Sequence, residues 1–146
     1  MNRSQRMEPV VRLADHRQQD AARQLGGWQR TLEERQQRLH ELCNYRDEYA
    51  RRFQDQSVGP MTAVSVRDYR LFLERLNEAI EQQARLVAAA QEELERSRGT
   101  WVQARGRTEV LTRLVERFER EERHEQERRE QAEQDDRPRR RGPMDP

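Results

Sequence analysis

The chain has 146 residues, 39% of them charged and only 32% apolar, with a formal net charge of +1. That length suits one domain, and so little apolar material excludes a compact core of ordinary size. The near-zero charge argues against a general nucleic-acid binder, and the single cysteine, Cys43, excludes an internal disulfide and suits a reducing compartment.

In chain order, residues 1–8 read as a short tail, with Pro9 acceptable in a first helical turn. A first helix is expected over 9–56, about 70 Å long at ~1.5 Å per residue. A turn follows over 57–65, where Gly59-Pro60 breaks helical backbone. Ser65 followed by Asp68 reads as the cap of a second helix over 66–134. From Glu119 to Asp136 there are nine acids and four arginines and no apolar residue except Ala132, which suits a solvated helix that frays. Residues 135–146 hold three prolines and an arginine cluster and read as a disordered tail.

Both helical stretches carry one unbroken rhythm, three and four residues in alternation. The first stripe runs from Val11 to Phe53 and the second from Val66 to Phe118, with 10 of 13 and 13 of 16 positions apolar. An average near 3.5 residues is the repeat of a left-handed coiled coil. Two such stripes joined by a turn predict an all-α fold, an antiparallel coiled-coil hairpin. If Phe53 faces Tyr69, then Tyr49 faces Leu73, Leu42 faces Ile80, Trp28 faces Leu94 and Trp101 faces Ala21. In that register Val11 meets Leu111, so residues beyond about 112 would form an unpaired end. Gly26, Gly27 and Gly99 fall at one level, which suggests a soft point or a close backbone approach.

No constellation for chemistry emerges. His40 and Cys43 share a face, but structural zinc takes four ligands, so no metal or other cofactor is expected. Gly26-Gly27 lacks the Lys-Ser/Thr of a phosphate loop, and carboxylates on a solvated helix have no cleft in which their pKa values separate. The chain is expected not to be an enzyme. The acidic run opposes a phosphate-binding role for Arg137 and Arg139–Arg141, so no nucleic acid is expected. No apolar run resembles a signal peptide or a membrane span, so no membrane insertion is expected.

Tyr45 and Phe72 are large aromatics outside the stripes. With Leu42, Tyr49, Leu76 and Ala79 they form a patch near the turn. Such a patch on a charged helix pair suits a partner-binding site; a seam widened near the turn is the alternative.

Three segments, VVRLADHRQQDAARQL, LCNYRDEYARRF and SVRDYRLFLERLNEAIEQQ, resemble the FliJ family of flagellar type III export proteins over roughly residues 7–130. The resemblance implies a coiled-coil stalk that enters the hexameric ring of the export ATPase FliI and promotes its assembly and activity. It also implies contacts with the export gate protein FlhA and with export chaperones, and a monomeric, cytoplasmic chain associated peripherally with the inner membrane at the flagellar base. Carried over by residue, Leu42, Tyr45, Tyr49, Phe72, Leu76, Ala79 and Gln83 would face the gate. Arg38 stands on that face where the family tends to carry an amide. Val10, Leu114, Val115 and Phe118 would enter the ATPase ring. The stalk protein of a virulence type III system, or a generic dimerising coiled-coil scaffold, are the alternative readings.

Overall fold

The computed structural model describes residues 1–56 and 62–137. Two α-helices account for nearly all of them: α1, Arg3–Gln56, and α2, Ala63–Asp136. Residues 57–61, within the expected turn, and residues 138–146, within the expected disordered tail, lie outside the described residues. By packing, the chain divides into two units. One holds residues 1–19 with the chain from Gln103 onward, and the other holds Asp20–Val102.

The heptad seam is present throughout both helices. Every stripe position from Val11 to Phe53 and from Val66 to Phe118 is buried or half-buried, while most intervening residues are exposed. The most buried positions are small or aliphatic: Ala14, Ala21, Leu76, Ala90 and Leu94. Two helices cannot enclose larger side chains, and no bulky residue among the described residues is wholly covered.

Within the Asp20–Val102 unit, Phe53 stacks on Tyr69 with ring centroids 3.7 Å apart, the facing pair expected from the sequence. Further from the turn, Gln83 Nε2 donates to the Arg35 carbonyl at 3.0 Å, and Arg35 Nη1 donates to the Leu86 carbonyl at 2.8 Å. The two polar seam residues thus reach across the interface and use the second lone pair of helical carbonyls. Residue numbers rise on one helix as they fall on the other, so the helices run antiparallel.

Within the other unit, Thr108 Oγ1 shares its one proton between the Ala14 carbonyl at 3.3 Å and the Ala104 carbonyl of its own helix at 3.0 Å. Ala14 faces Thr108 in the same register that sets Phe53 on Tyr69. Here the structure corrects the sequence reading twice. α1 begins at Arg3, so residues 3–8 are helical and Pro9 stands inside the helix. The seam also runs on past Leu111: Ser4 and Met7 extend the first stripe, Glu122 extends the second, and Ser4 bonds Glu122. Residues 112–122 therefore have a partner helix, and Leu114, Val115 and Phe118 do not project from an overhang.

The early start has a local cause. Asn2 caps α1 with Gln5 as reciprocal partner: Gln5 N donates to Asn2 Oδ1 at 3.0 Å, and Asn2 N donates to Gln5 Oε1 at 3.3 Å. That is a capping box built on Asn and Gln. Pro9 removes the bond that residue 9 would give to the Gln5 carbonyl, a cost that the cap and the Glu122 contact offset. α2 is capped by Thr62, whose Oγ1 accepts from Ser65 N at 3.2 Å, so Ser65 sits in the first turn and is not itself the cap.

Gly26, Gly27 and Gly99 are helical, and a Cβ added to any of them would meet nothing within 4 Å. Close backbone approach is therefore not their reason.

Candidate partner-binding surfaces

In the Asp20–Val102 unit the aromatic residues form a ladder that alternates between helices. Tyr45 meets Phe72 edge-on, centroids 6.2 Å apart at 69°. Phe72 meets Tyr49 at 4.4 Å, and Tyr49 stacks on Tyr69 at 5.5 Å. Phe53 closes the series on Tyr69. Five of the six Tyr and Phe residues of the chain are thus in one cluster. The spacing Tyr45, Tyr49, Phe53 puts three rings on one face of α1, one turn apart, and Tyr69 and Phe72 insert between them. Tyr45, Tyr49 and Phe72 belong to the patch expected from the sequence; Phe53 and Tyr69, expected only as seam residues, belong to the same cluster.

The ladder presents its members unequally. Tyr45 is 47% exposed and forms the outer edge, whereas Leu76 is 8% exposed and belongs to the core. Leu42, Tyr49, Phe72 and Ala79 are half-buried. Gln83 is half-buried and its amide donates to Arg35 across the seam. Arg38 is exposed, beside Glu41 at 3.7 Å. The candidate gate-facing set therefore splits into an accessible edge led by Tyr45 and a buried base led by Leu76.

Cys43 is a half-buried free thiol. His40 Nε2 lies 3.2 Å from Asn44 Nδ2 on its own helix. Among the described residues no group of three or more His, Cys, Asp or Glu side chains is placed to hold a metal ion. No helix among them is long and apolar enough to cross a membrane.

The second candidate surface lies in the unit containing the start of α1 and the end of α2. Glu122 accepts two hydrogen bonds from Ser4, 3.0 Å from its backbone N and 2.7 Å from its Oγ. The backbone bond from Ser4, then its hydroxyl, hold the Glu122 carboxyl below the ordinary value of 4.5, against a smaller opposing effect of burial. A carboxylate at the positive end of a helix gains from the dipole as well. The Arg3 guanidinium lies over the Phe118 ring, 5.6 Å from its centroid. Of the candidate ring-entering residues, Val10 is exposed, and Leu114, Val115 and Phe118 are half-buried. Val115 and Phe118 are seam positions; Val10 and Leu114 flank the seam.

An all-α chain of two long antiparallel helices, with an aromatic edge in one unit and the start of α1 and the end of α2 in the other, is a coiled-coil hairpin. Residues 3–141 match the family model described as flagellar FliJ protein, and the chain belongs to that family. It is thereby a flagellar, export-related protein. No curated protein and no solved structure matches it significantly.

Proposed function

We propose that the protein is the non-enzymatic stalk of the flagellar type III export apparatus. In this reading it promotes assembly and activity of the export ATPase FliI, and links that hexamer to the export gate protein FlhA and to export chaperones. It works as a monomer on the cytoplasmic side, at the base of the flagellum, without entering the membrane. The observation that carries the reading is the exposed edge of the aromatic ladder, Tyr45 against Phe72, on a chain of this family. A large ring held by a second ring and still open to solvent is pre-organised for a partner, because little side-chain freedom remains to be lost on binding. Tyr45, with Leu42, Tyr49, Phe72 and Ala79 around it, is assigned to the gate contact. Leu76 and Gln83 support that face from beneath. Val10 and Leu114, backed by Val115 and Phe118, are assigned to the ATPase ring.

Titration of the hexameric export ATPase with this protein tests the reading. Stimulation that saturates at one chain per hexamer supports it. Absence of both stimulation and binding overturns it in favour of a scaffold, which a stable homodimer in sedimentation would identify.

A further inference from the structure

The unit that joins residues 1–19 to the chain from Gln103 onward carries an apolar surface that the seam does not explain. Val10, Leu13 and Val110 are 43%, 51% and 64% exposed. Leu114 is half-buried beside them. Their placement follows from the register. Val10 and Leu114 each stand immediately before a seam residue, Val11 and Val115. In antiparallel helices such positions lie on the same side of the seam. The rule is visible in the aromatic ladder, where Tyr45 and Phe72, each immediately before a seam residue, meet. Leu13 lies one position further out on α1, and Val110 does so on α2. Because Ala14 faces Thr108, the two pairs fall at adjacent levels of one flank.

Arginines bound this flank at both ends. One heptad toward the start of α1, Arg6 and Arg117 occupy the outer positions. At the other end, Arg17 and Arg107 occupy the inner ones. Arg117 pairs with Glu121 at 3.2 Å. Arg6, Arg17 and Arg107 are exposed, and their guanidinium groups have no ion pair among the described residues. Some arginines on these helices pair with acids three or four residues away, as Arg96 does with Glu93 and Arg105 with Glu109, so Arg6, Arg17 and Arg107 are among the cations left for a partner. Unpaired cations around four aliphatic side chains complement an apolar stripe edged with carboxylates.

We infer that this flank docks a third helix, an amphipathic one whose apolar stripe is edged by Asp or Glu. The register sets aliphatic residues of both helices along one flank, an apolar strip onto which an amphipathic helix can lay its own apolar face. The flank lacks the Trp and Phe that interfacial membrane helices use, which favours a protein helix over a lipid surface. This rests on the proposed function only in that this unit meets a partner at all. It adds the chemistry of that partner and the residues Leu13, Val110, Arg17 and Arg107.

The test uses the full chain as bait against a display library of short amphipathic helices with a fixed Leu stripe and randomised flanks. Enrichment of Asp- and Glu-flanked helices is expected. Capture of these should fall about tenfold or more in the double variant Leu13→Asp, Val110→Asp. Both sites are more than half exposed, so helicity should be unchanged by circular dichroism. In the double variant Arg17→Glu, Arg107→Glu, enrichment should move to Lys- and Arg-flanked helices. No enrichment, enrichment indifferent to flank charge, or capture that survives Leu13→Asp with Val110→Asp overturns the inference. So does binding of phosphatidylglycerol vesicles in place of helices, or a homodimer that Leu13→Asp dissolves. ATPase stimulation that persists after such a failure leaves the stalk reading standing; helix capture without any stimulation does the reverse.

Discussion

Glu122 of the second helix accepts both the backbone N–H and the hydroxyl of Ser4 at the start of the first. The carboxylate does for a distant helix end what a local cap does for its own. Together with the Asn2–Gln5 box it leaves the backbone N–H groups of Asn2, Ser4, Gln5 and Arg6 all bonded. Glu122→Gln should therefore loosen the segment before Pro9 and little else. Hydrogen exchange at Ser4 to Glu8 is expected to speed up while the Asp20–Val102 unit is unchanged; uniform protection in the variant would refute the clamp.

The same pair has a pH dependence with a definite sign. The Glu122 carboxyl is held below its ordinary value of 4.5 by hydrogen bonds from Ser4, so the unfolded segment binds the proton more readily than the folded one. The contribution is present above 4.5 and is lost as pH falls through the lower folded value. Amide chemical shift and exchange at Ser4 should move together in that acid window, and Glu122→Gln should remove the transition.

Tyr45 and Leu76 separate binding from stability. Tyr45 is half exposed, so Tyr45→Ala should cost under about 1 kcal/mol in urea unfolding. Loss of gate-protein binding in that variant is the expected phenotype. Leu76→Ala empties a buried seam position and should cost about 2–4 kcal/mol. Equal stability losses in the two variants would contradict the division of the ladder into edge and base.

The glycines and Ser97 offer stabilising changes. Gly26, Gly27 and Gly99 have open space where a Cβ would go, and Ala is favoured over Gly in a helix interior by ~1 kcal/mol. Each Gly→Ala substitution should raise the unfolding midpoint. Ser97 Oγ is buried without a hydrogen-bond partner among the described residues, so Ser97→Ala should stabilise by about 1 kcal/mol. A triple Ala variant with lower thermal stability would show that the glycine backbone holds a geometry an ordinary residue resists.

The register can be checked covalently. With Cys43→Ser as background, Leu32→Cys and Ala90→Cys should form a disulfide on mild oxidation, whereas Leu32→Cys with Leu86→Cys should not. Ala90 is fully buried in the seam, and Leu86 is 45% exposed on its flank. The reverse pattern would displace the helices from the pairing seen at Phe53 and Tyr69.

The seam was legible in the sequence because a heptad repeat is a local, periodic signal. Each apolar residue predicts its neighbours three and four positions away, and a single pairing, Phe53 with Tyr69, sets the expected partner of every other stripe position. The candidate surfaces were legible only in part. Tyr45 stood out as an aromatic off the stripe, but nothing in its spacing told that it would remain open while Leu76 closed beneath it. Burial depends on which face the opposite helix covers. Gln83 is likewise a polar position in the stripe, and only the approach of the Arg35 carbonyl shows what its amide bonds.

The beginning of α1 shows the division most plainly. By itself the sequence determined two helices, their antiparallel sense and the class of their interface, all consequences of spacing and of a break too short for any other return. Tertiary structure alone decided that residues 3–8 are helical and that the pairing extends to Glu122. Ser4 and Glu122 are polar and so carry no seam signal. Their bond joins residues 118 apart in sequence, and its two hydrogen bonds exist only once the opposite helix is in place.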